Sequence, residues 1–455
     1  MTSTTATGET RADATNNQAR EMAKQAESII PGGVNSATRA IGAPWAFSSA
    51  KGSGITDANG RTYTDYHAAF GATLLGHADE RVNNAITEAI RDIDLIGLGT
   101  TDLELEVAQL TINAIPSAEM VISTMSGSES VLQAIRLARG ATDRNLILKF
   151  QGCFHGSYDA IARNVISTPE RAWRFDPNST GILDDALNNT LIAEFNDLAS
   201  VEELFAKYPE QIAAVILEPV PHNVGALLPE QHFLEGLRKL TREHGSLLIF
   251  DEVITGFRHA LGGYQEICGV TPDLTTFGKA MGNGYPVAGL AGAAEVMQHF
   301  TPAGGSVMLA GTFNGNAISM ASAMATIKTI QDPEVGFYDH VYRLGDRMRD
   351  GLRSITEENE IPAVVTGIGS VFVTYFLDRR VRGYRDLLHN NDEAYVTFHR
   401  RMIEKGSFMY PMALKRNHIS LAHTEDDIDR TLSQADEVLS EMAREGLFAV
   451  PGKQS

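Results

Sequence analysis

Short apolar runs alternate with helical patterns through the middle of the chain, and this alternation limits the possible folds more than any other feature. Between two of the runs, one helical face carries Phe233, Leu234, Leu237 and Leu240. Such alternation is typical of an α/β fold, a mainly parallel sheet covered by helices on both faces. Ligands of these sheets bind at the carboxyl ends of the strands. The runs that predict the strands are 120–122, 146–148, 213–217 and 247–250.

The length of 455 residues exceeds the usual size of one hydrophobic core, so two domains are expected. Towards the C-terminus the pattern changes to a long charged helix, a strand and a final helix. We predict a large domain over 76–330 and a smaller α+β domain over 331–455, with 19–75 packing against the smaller one. Residues 1–18 have no apolar core and are predicted to form a disordered tail.

The composition argues against several classes of partner. Acidic residues number 57 and basic residues 38, which gives a formal net charge of −19. Nucleic acids and anionic membranes attract clustered Lys and Arg, so neither is expected to bind. Cys153 and Cys268 are too few and too far apart for a disulfide framework or a metal cluster, which predicts no metal and fits a reducing cytoplasm. The uncharged stretch 296–327 contains Gly, Asn and Pro, so we expect a loop and a buried helix there, not a membrane span.

A lysine and a carboxylate stand at the spacing that a pyridoxal phosphate (PLP) site requires. Lys279 lies in a glycine-rich turn, 28 residues after Asp251, which closes an apolar strand. PLP enzymes use a lysine amine to hold the aldehyde as a Schiff base and a carboxylate to keep the pyridine nitrogen protonated. Lysine in such a turn is more often a solvated loop residue. Whether Lys279 holds PLP therefore depends on other segments of the chain that could bind the phosphate and the ring.

A capping box predicts where an anion would bind. Ser126 and Glu129 have the capping spacing, so a helix begins there and its free N–H groups point at the loop. Ser126, Gly127 and Ser128 are therefore candidates to hold a phosphate. A helix cap without a ligand is the alternative.

Two further strand ends carry candidate side chains. Phe154, between glycines, could stack on a flat ring, with His155 beside it; a core phenylalanine and a turn histidine are the alternative. Glu218 ends a strand, where burial without a partner would be costly, so a functional role is favoured. Asn223 could donate to a phenolic oxygen of the ring or simply form a turn.

Together these segments resemble the class III (subgroup II) PLP-dependent aminotransferases, of PLP fold type I, from about residue 29 to 439. Within the class the similarity is greatest to the glutamate-1-semialdehyde 2,1-aminomutases. Several ordered matches carry the resemblance: PGGVNSATR at 31–39, LGH at 75–77, FHG at 154–156, EP at 218–219, FDEVITGFR at 250–258, TPDLTTFGK at 271–279, GTFNGN at 311–316 and SLAH at 420–423.

The resemblance implies a role for each matching residue. Lys279 would form the Schiff base and Asp251 would pair with the pyridinium nitrogen. Val253 would pack on the ring face opposite Phe154. The remaining cofactor contacts would come from Ser126, Gly127, Ser128, His155, Glu218 and Asn223.

The resemblance also implies the partners. Thr312 would contact the phosphate of the neighbouring subunit, which makes the enzyme a homodimer with shared active sites. Arg39 would bind the substrate carboxylate through its planar fork. Phe70 would line the substrate pocket.

Three positions depart from the aminomutase pattern. Phe70 replaces a tryptophan, Lys415 replaces a glutamate, and the bulky segment 165–175 replaces a Gly- and Ser-rich mobile gate that retains a diamino intermediate. These departures favour an aminotransferase that moves an amino group from a carboxylate-bearing amine or amino acid, including a β-amino acid, to a keto acid. The alternatives are an isomerase, either an aminomutase or an epimerase, and a PLP-binding protein without turnover.

Overall fold

The computed structural model describes residues 11–42, 45–230 and 232–448. Its strands are β1 Phe47–Lys51, β2 Gly54–Asp57, β3 Thr62–Asp65, β4 Met120–Thr124, β5 Leu146–Phe150, β6 Thr190–Ala193, β7 Ile212–Leu217, β8 Leu247–Glu252, β9 Leu274–Phe277, β10 Ala288–Gly292, β11 Val364–Thr366, β12 Val371–Tyr375, β13 Ser407–Phe408 and β14 Asn417–His418. Its α-helices are α1 Arg11–Ile29, α2 Ala68–Gly71, α3 Glu80–Ala89, α4 Asp102–Ala114, α5 Gly127–Thr142, α6 Asp184–Leu187, α7 Leu198–Lys207, α8 Phe233–Glu243, α9 Tyr264–Cys268, α10 Ala294–Met297, α11 Ala317–Gln331, α12 Phe337–Glu358, α13 Tyr384–Leu387, α14 Asp392–Lys405 and α15 Glu425–Arg444. Short 3-10 helices lie at Pro31–Gly33, Ala37–Ala40, Asp159–Ile161, Lys279–Gly282 and Thr301–Ala303.

A seven-stranded sheet forms the centre of the large domain, in the order β4-β10-β9-β8-β7-β5-β6. Strands β5 to β9 pair in parallel, and β10 runs antiparallel to both β4 and β9. The predicted α/β class is confirmed, and the four apolar runs are β4, β5, β7 and β8. Strands β9 and β10 were not predicted, because their sequences LTTF and AGLAG have no apolar run.

Alternate residues of the central strands face opposite helical layers. Val215 and Leu217 of β7 pack with α7 and α8, whereas Ile216 packs with α5. In β8, Leu248 and Phe250 pack on the side of α7 and α8, and Ile249 packs on the side of α5. Burial on both faces explains why these strands are continuously apolar.

The N-terminal and C-terminal segments share a sheet. Strand β13 pairs in parallel with β3 in the order β1-β2-β3-β13, and a second small sheet has the order β11-β12-β14. The buried ring of Tyr66 belongs to the same core as α12, α14 and α15, and its hydroxyl lies 2.7 Å from Oγ1 of Thr431. Residues near β3 are therefore part of the smaller domain's core.

Two segments differ from or extend the sequence predictions. Helix α1 begins at Arg11, inside the segment predicted to be a disordered tail, and Ala19 N–H donates to Oδ1 of Asn59 at 3.2 Å. Its Ala, Gln, Glu and Lys favour a helix without supplying an apolar face; residues 1–10 lie outside the described residues. The predicted buried helix is α11, which continues to Gln331. In the part of the chain that the structure describes, no helix is long and apolar enough to cross a membrane.

Replacing Tyr66 tests whether the two ends of the chain form one core. Tyr66→Ala should destabilise the protein by roughly 3–5 kcal/mol, because a fully buried aromatic ring leaves a cavity. Urea unfolding followed by circular dichroism measures the change. Leu183→Ala is the control, since that side chain is 72% exposed and its loss should matter little. Equal midpoints for the two variants would contradict the shared core.

Candidate active site

The carboxyl ends of β7, β8 and β9 open into one cavity of about 800 Å³. Glu218 directly follows β7, Asp251 lies near the end of β8, and Lys279 follows β9 after one glycine. Neighbouring parallel strands therefore place the three side chains together. Of the residues proposed from the sequence, those that line the cavity are Arg39, Phe70, Ser126, Gly127, Ser128, Phe154, His155, Glu218, Asn223, Asp251, Val253 and Lys279.

The N-terminus of α5 forms one wall of the cavity. Ser126 is its N-cap, and Ser126 and Glu129 form the reciprocal hydrogen bonds of a capping box, as predicted. The first N–H groups of a helix have no acceptor within it and favour an anion. A Cβ on Gly127 would lie 2.8 Å from the methyl groups of Val253, so this close approach requires glycine. The wall thus presents N–H donors beside an apolar side chain.

Asp251 is buried and held by three donors. The Nδ1 atom of His155 lies 2.7 Å from its Oδ2, and the hydroxyl of Thr276 and the N–H of Val253 donate to its Oδ1 at 3.1 and 3.2 Å. Burial lowers the pKa of His155, so the ring is neutral and donates from Nδ1. The opposite atom, Nε2, is buried without a partner among the described residues. These three contacts fix the position of the Asp251 side chain at the cavity.

Glu218 supports the loop that carries the aromatic ring. Its carboxylate accepts from the N–H groups of Phe154 at 2.8 Å and His222 at 2.9 Å. Burial, together with the charge of Asp251, raises the pKa of Glu218 to about 7. The side chain of Phe154 remains 42% exposed at the cavity. Glu218 therefore positions the backbone, and the ring of Phe154 is free to contact a ligand.

Lys279 combines a strained backbone with an amine that has no acceptor. Its φ of 39° lies in the left-handed region, which is costly for a residue with a side chain and is often found at functional sites. Its amine makes no hydrogen bond with any described residue. Burial is the main cause that lowers the pKa of Lys279 to about 8, and Arg416 contributes. A substantial fraction of the amine is therefore neutral near physiological pH.

The substrate side of the cavity contains the predicted Arg39 and a second arginine, Arg416, that the sequence did not reveal. Arg39 lies exposed at the mouth, on the 3-10 helix Ala37–Ala40. Arg416 is buried; it donates to the carbonyl of Phe70 at 2.9 Å, and no described carboxylate pairs with it. Burial lowers the pKa of Arg416 to about 10. Position 416 directly follows Lys415 in a motif that the sequence singled out, but only the fold reveals its burial.

The segment that replaces the expected gate forms a fixed wall. The hydroxyl of Tyr384 donates to the carbonyl of Ser167 at 2.8 Å and accepts from its N–H at 2.7 Å. Trp173 N–H donates to Oε1 of Gln151 at 3.0 Å, and the guanidinium of Arg385 lies 3.9 Å from the Trp173 ring centre. Contacts from both domains therefore hold residues 165–175 at the cavity wall.

Thr312 does not reach this cavity. It is exposed in the loop before α11, next to Phe313, which is 60% exposed. This loop adjoins the residues before α4, because Ala317 N–H donates to the carbonyl of Asp94 at 3.2 Å. The large exposed apolar side chains on these two segments and on the first turns of α4 and α11 are Ile96, Leu98, Leu105, Met308, Phe313 and Ile318.

Comparison with known proteins gives consistent matches over nearly the whole chain. The family described as aminotransferase class-III matches residues 37–430. The glutamate-1-semialdehyde 2,1-aminomutase of Desulfitobacterium hafniense (strain Y51) is 39% identical over 430 residues, covering 93% of this chain and 98% of that protein. A solved omega-transaminase from Sphaerobacter thermophilus matches with a TM-score of 0.86 and 31% identity, covering 94% and 98%. A beta-phenylalanine aminotransferase from Variovorax paradoxus matches with a TM-score of 0.85 and 26% identity, covering 95% and 96%.

The ligand-free protein should become more stable when Lys279 is replaced by an apolar residue. Its lowered pKa means that the unfolded chain binds more protons between about pH 8 and 10.5, so the cost of burying the charge is fully present below pH 8. Lys279→Met should therefore stabilise the protein at pH 7 by on the order of 3 kcal/mol, and the gain should vanish towards pH 10.5.

Lys149→Met is the matched control for this measurement. Burial also lowers the pKa of Lys149 to about 8, but its amine donates to the carbonyls of Cys153 and Arg163 at 2.8 and 2.6 Å. Its loss leaves two buried acceptors and should destabilise the protein. Urea unfolding at pH 7 and pH 10 tests both variants; a destabilised Lys279→Met protein at pH 7 would contradict this account.

Proposed function

The chain belongs to the class III aminotransferase family, and from this premise we propose that it transfers an amino group between two separate substrates. The resemblance drawn from the sequence is confirmed, and the protein is a PLP-dependent enzyme of fold type I. The amino donor is an amine or amino acid that bears a carboxylate, and the acceptor is a keto acid.

The residues around the cavity fit PLP. The N–H groups at the start of α5 suit a phosphate, with Ser126 and Ser128 adding hydroxyls. Asp251 supplies the carboxylate for the pyridine nitrogen, and the unpartnered amine of Lys279 suits the aldehyde. Phe154 and Val253 offer apolar surfaces for the two ring faces. When bound, PLP supplies an electron sink for the carbanion left at the substrate Cα.

Proton movement falls to Lys279. The neutral amine takes a proton from the substrate Cα at Nζ and returns it to the cofactor side, so a pKa near physiological pH suits both directions. Asp251 keeps the pyridine nitrogen protonated, and the hydrogen bond from His155 fixes the carboxylate for that task.

The substrate carboxylate has two candidate partners. Arg39 at the mouth is positioned for a planar, bidentate contact. Arg416 is buried without an acidic partner among the described residues, so an incoming carboxylate would compensate its charge. Two cations at different depths support substrates with a carboxylate away from the reacting amine, including β-amino acids. The similarity to the beta-phenylalanine aminotransferase agrees with this choice.

The observation that favours amino-group transfer over isomerisation is that contacts anchor residues 165–175 at the cavity wall. An isomerase of this family must retain its intermediate, and the aminomutase pattern places a mobile gate where this chain has 165–175. Here the double hydrogen bond between Ser167 and Tyr384 ties that segment to the smaller domain. A wall that stays in place leaves a keto product free to leave, which is what transfer between two substrates requires.

An aminomutase is the second candidate. The relative from Desulfitobacterium hafniense that carries this name is 39% identical over almost its full length. Both candidates use the same lysine and the same cofactor. The two candidates differ in whether a keto product that has lost its amino group leaves the enzyme.

A homodimer is part of the proposed function. The exposed apolar side chains on the segments before α4 and before α11 form a surface that a second copy would cover. Thr312 lies on this surface, outside its own chain's cavity, as a residue that contacts the neighbouring subunit's phosphate would.

A half-reaction distinguishes transfer from isomerisation. PLP-loaded enzyme is mixed with β-phenylalanine or glutamate 1-semialdehyde in the absence of an acceptor. We expect equal amounts of pyridoxamine phosphate and a keto product from an accepted donor, with Lys279→Ala as the inactive control. A rearranged isomer that keeps its amino group, formed without a matching amount of a product that has lost it, would contradict the proposal and support the aminomutase.

Arg39→Ala should weaken substrates that carry a carboxylate. Losing a charge-assisted contact costs roughly 1.5–3 kcal/mol, or about tenfold to more than a hundredfold in kcat/KM. Affinity for PLP should not change. Arg242→Ala is the control, because Arg242 is exposed in the last turn of α8 and does not line the cavity. An equal loss of kcat/KM for amines with and without a carboxylate would show that Arg39 does not bind it.

A further inference from the structure

We propose that Lys415 is a positioning residue, which turns the side-chain amide of Asn223 so that its N–H groups face the cofactor. The inference rests on the proposed function, because it concerns the PLP site. Lys415 stands where the aminomutase pattern has a glutamate, and no role described above accounts for it. It is 7% exposed and lines the same cavity as Lys279.

The backbone around Asn223 is fixed independently of Lys415. The carboxylate of Glu218 accepts from His222 N–H at 2.9 Å. The hydroxyl of Tyr375 donates to the carbonyl of Val224 at 2.6 Å and accepts from Ala226 N–H at 3.0 Å. These contacts hold the chain on either side of Asn223. The direction of its side-chain amide is therefore the remaining freedom.

Lys415 removes that freedom. Its Nζ donates to the backbone carbonyl of Asn223 at 2.8 Å and to its side-chain Oδ1 at 2.9 Å. A lysine amine with its protons directed at these oxygens requires Oδ1, not Nδ2, to face it. The Nδ2 atom of Asn223 is buried and has no partner among the described residues, although the residue lines the cavity. An acceptor atom in the cavity would satisfy it.

The charges around Lys415 argue against a purely stabilising role. No described carboxylate forms an ion pair with it, and Arg416 and Lys279 are cations nearby. Burial, reinforced by those cations, lowers the pKa of Lys415 to about 7, whereas Glu218 acts in the opposite direction. Burying this amine therefore destabilises the protein, and the two contacts to Asn223 are the role that accounts for its presence.

The acceptor that fits is the phenolic oxygen of the PLP ring. A donor directed at this oxygen stabilises its deprotonated form, so the loss of the donor makes the oxygen more basic. The pH midpoint of the absorbance change of bound PLP reports this directly, without turnover. A hydrogen bond to a charged oxygen corresponds to a shift of about one pH unit or more.

The test is a double-mutant cycle on the PLP-loaded enzyme. Lys415→Met and Asn223→Ala should each raise the spectroscopic midpoint by about one pH unit. The double variant should shift it no further than Asn223→Ala alone, because Lys415 acts through Asn223. Additive shifts would mean that Lys415 acts by its own charge, and an unchanged midpoint in Lys415→Met would mean that it does not act at all; either result overturns the proposal.

Asn223→Asp provides a second variant in case Lys415→Met does not fold. The carboxylate keeps its contact with Lys415 but has no N–H to donate, so the midpoint should again rise. A midpoint that stays unchanged or falls would overturn the proposal. Failure of the proposed function has a separate signature, since it would appear in the products of the half-reaction and leave the absorbance of lysine-bound PLP in place.

Discussion

Charged side chains at the carboxyl ends of three neighbouring strands share one cavity, and the rest of the site depends on how their burial is compensated. Asp251 and Glu218 are each held by hydrogen-bond donors from the surrounding loops. The amine of Lys279 is left without an acceptor, and burial lowers its pKa to about 8. The fold thus provides hydrogen-bond donors for both acidic side chains and, among the described residues, no acceptor for the amine, which is the asymmetry that PLP chemistry uses.

The fold class, and most of the residues that gather at the cavity, could be predicted from the sequence. Apolar runs identified β7 and β8, and the capping box at Ser126 identified the start of α5, because both signals are local. Strand β10 could not be predicted from AGLAG, since its place depends on pairing with β4 and β9. The burial of Arg416 and the contact between Ser167 and Tyr384 join distant segments, so no local pattern reveals them.

The positions that depart from the aminomutase pattern form connected parts of the structure. The carbonyl of Phe70 accepts from Arg416, the neighbour of Lys415, and Lys415 reaches Asn223 beside the cofactor site. The third departure, 165–175, is tied to the smaller domain through Tyr384. These three departures therefore alter the substrate side and the cavity wall, while the residues assigned to PLP keep the side-chain chemistry of the family pattern. This division supports an enzyme that uses the same cofactor as the aminomutases for a different reaction.

The assignment of Lys279 as the residue that holds PLP is the central claim, and reductive labelling tests it most directly. PLP-loaded protein is reduced with borohydride and its peptides are mapped. The wild-type protein should carry the reduced cofactor on the peptide that contains Lys279, and Lys279→Ala should carry none. Lys149 and Lys415 serve as internal controls, because burial lowers the pKa of both amines as well. Label on either of those lysines would contradict the assignment.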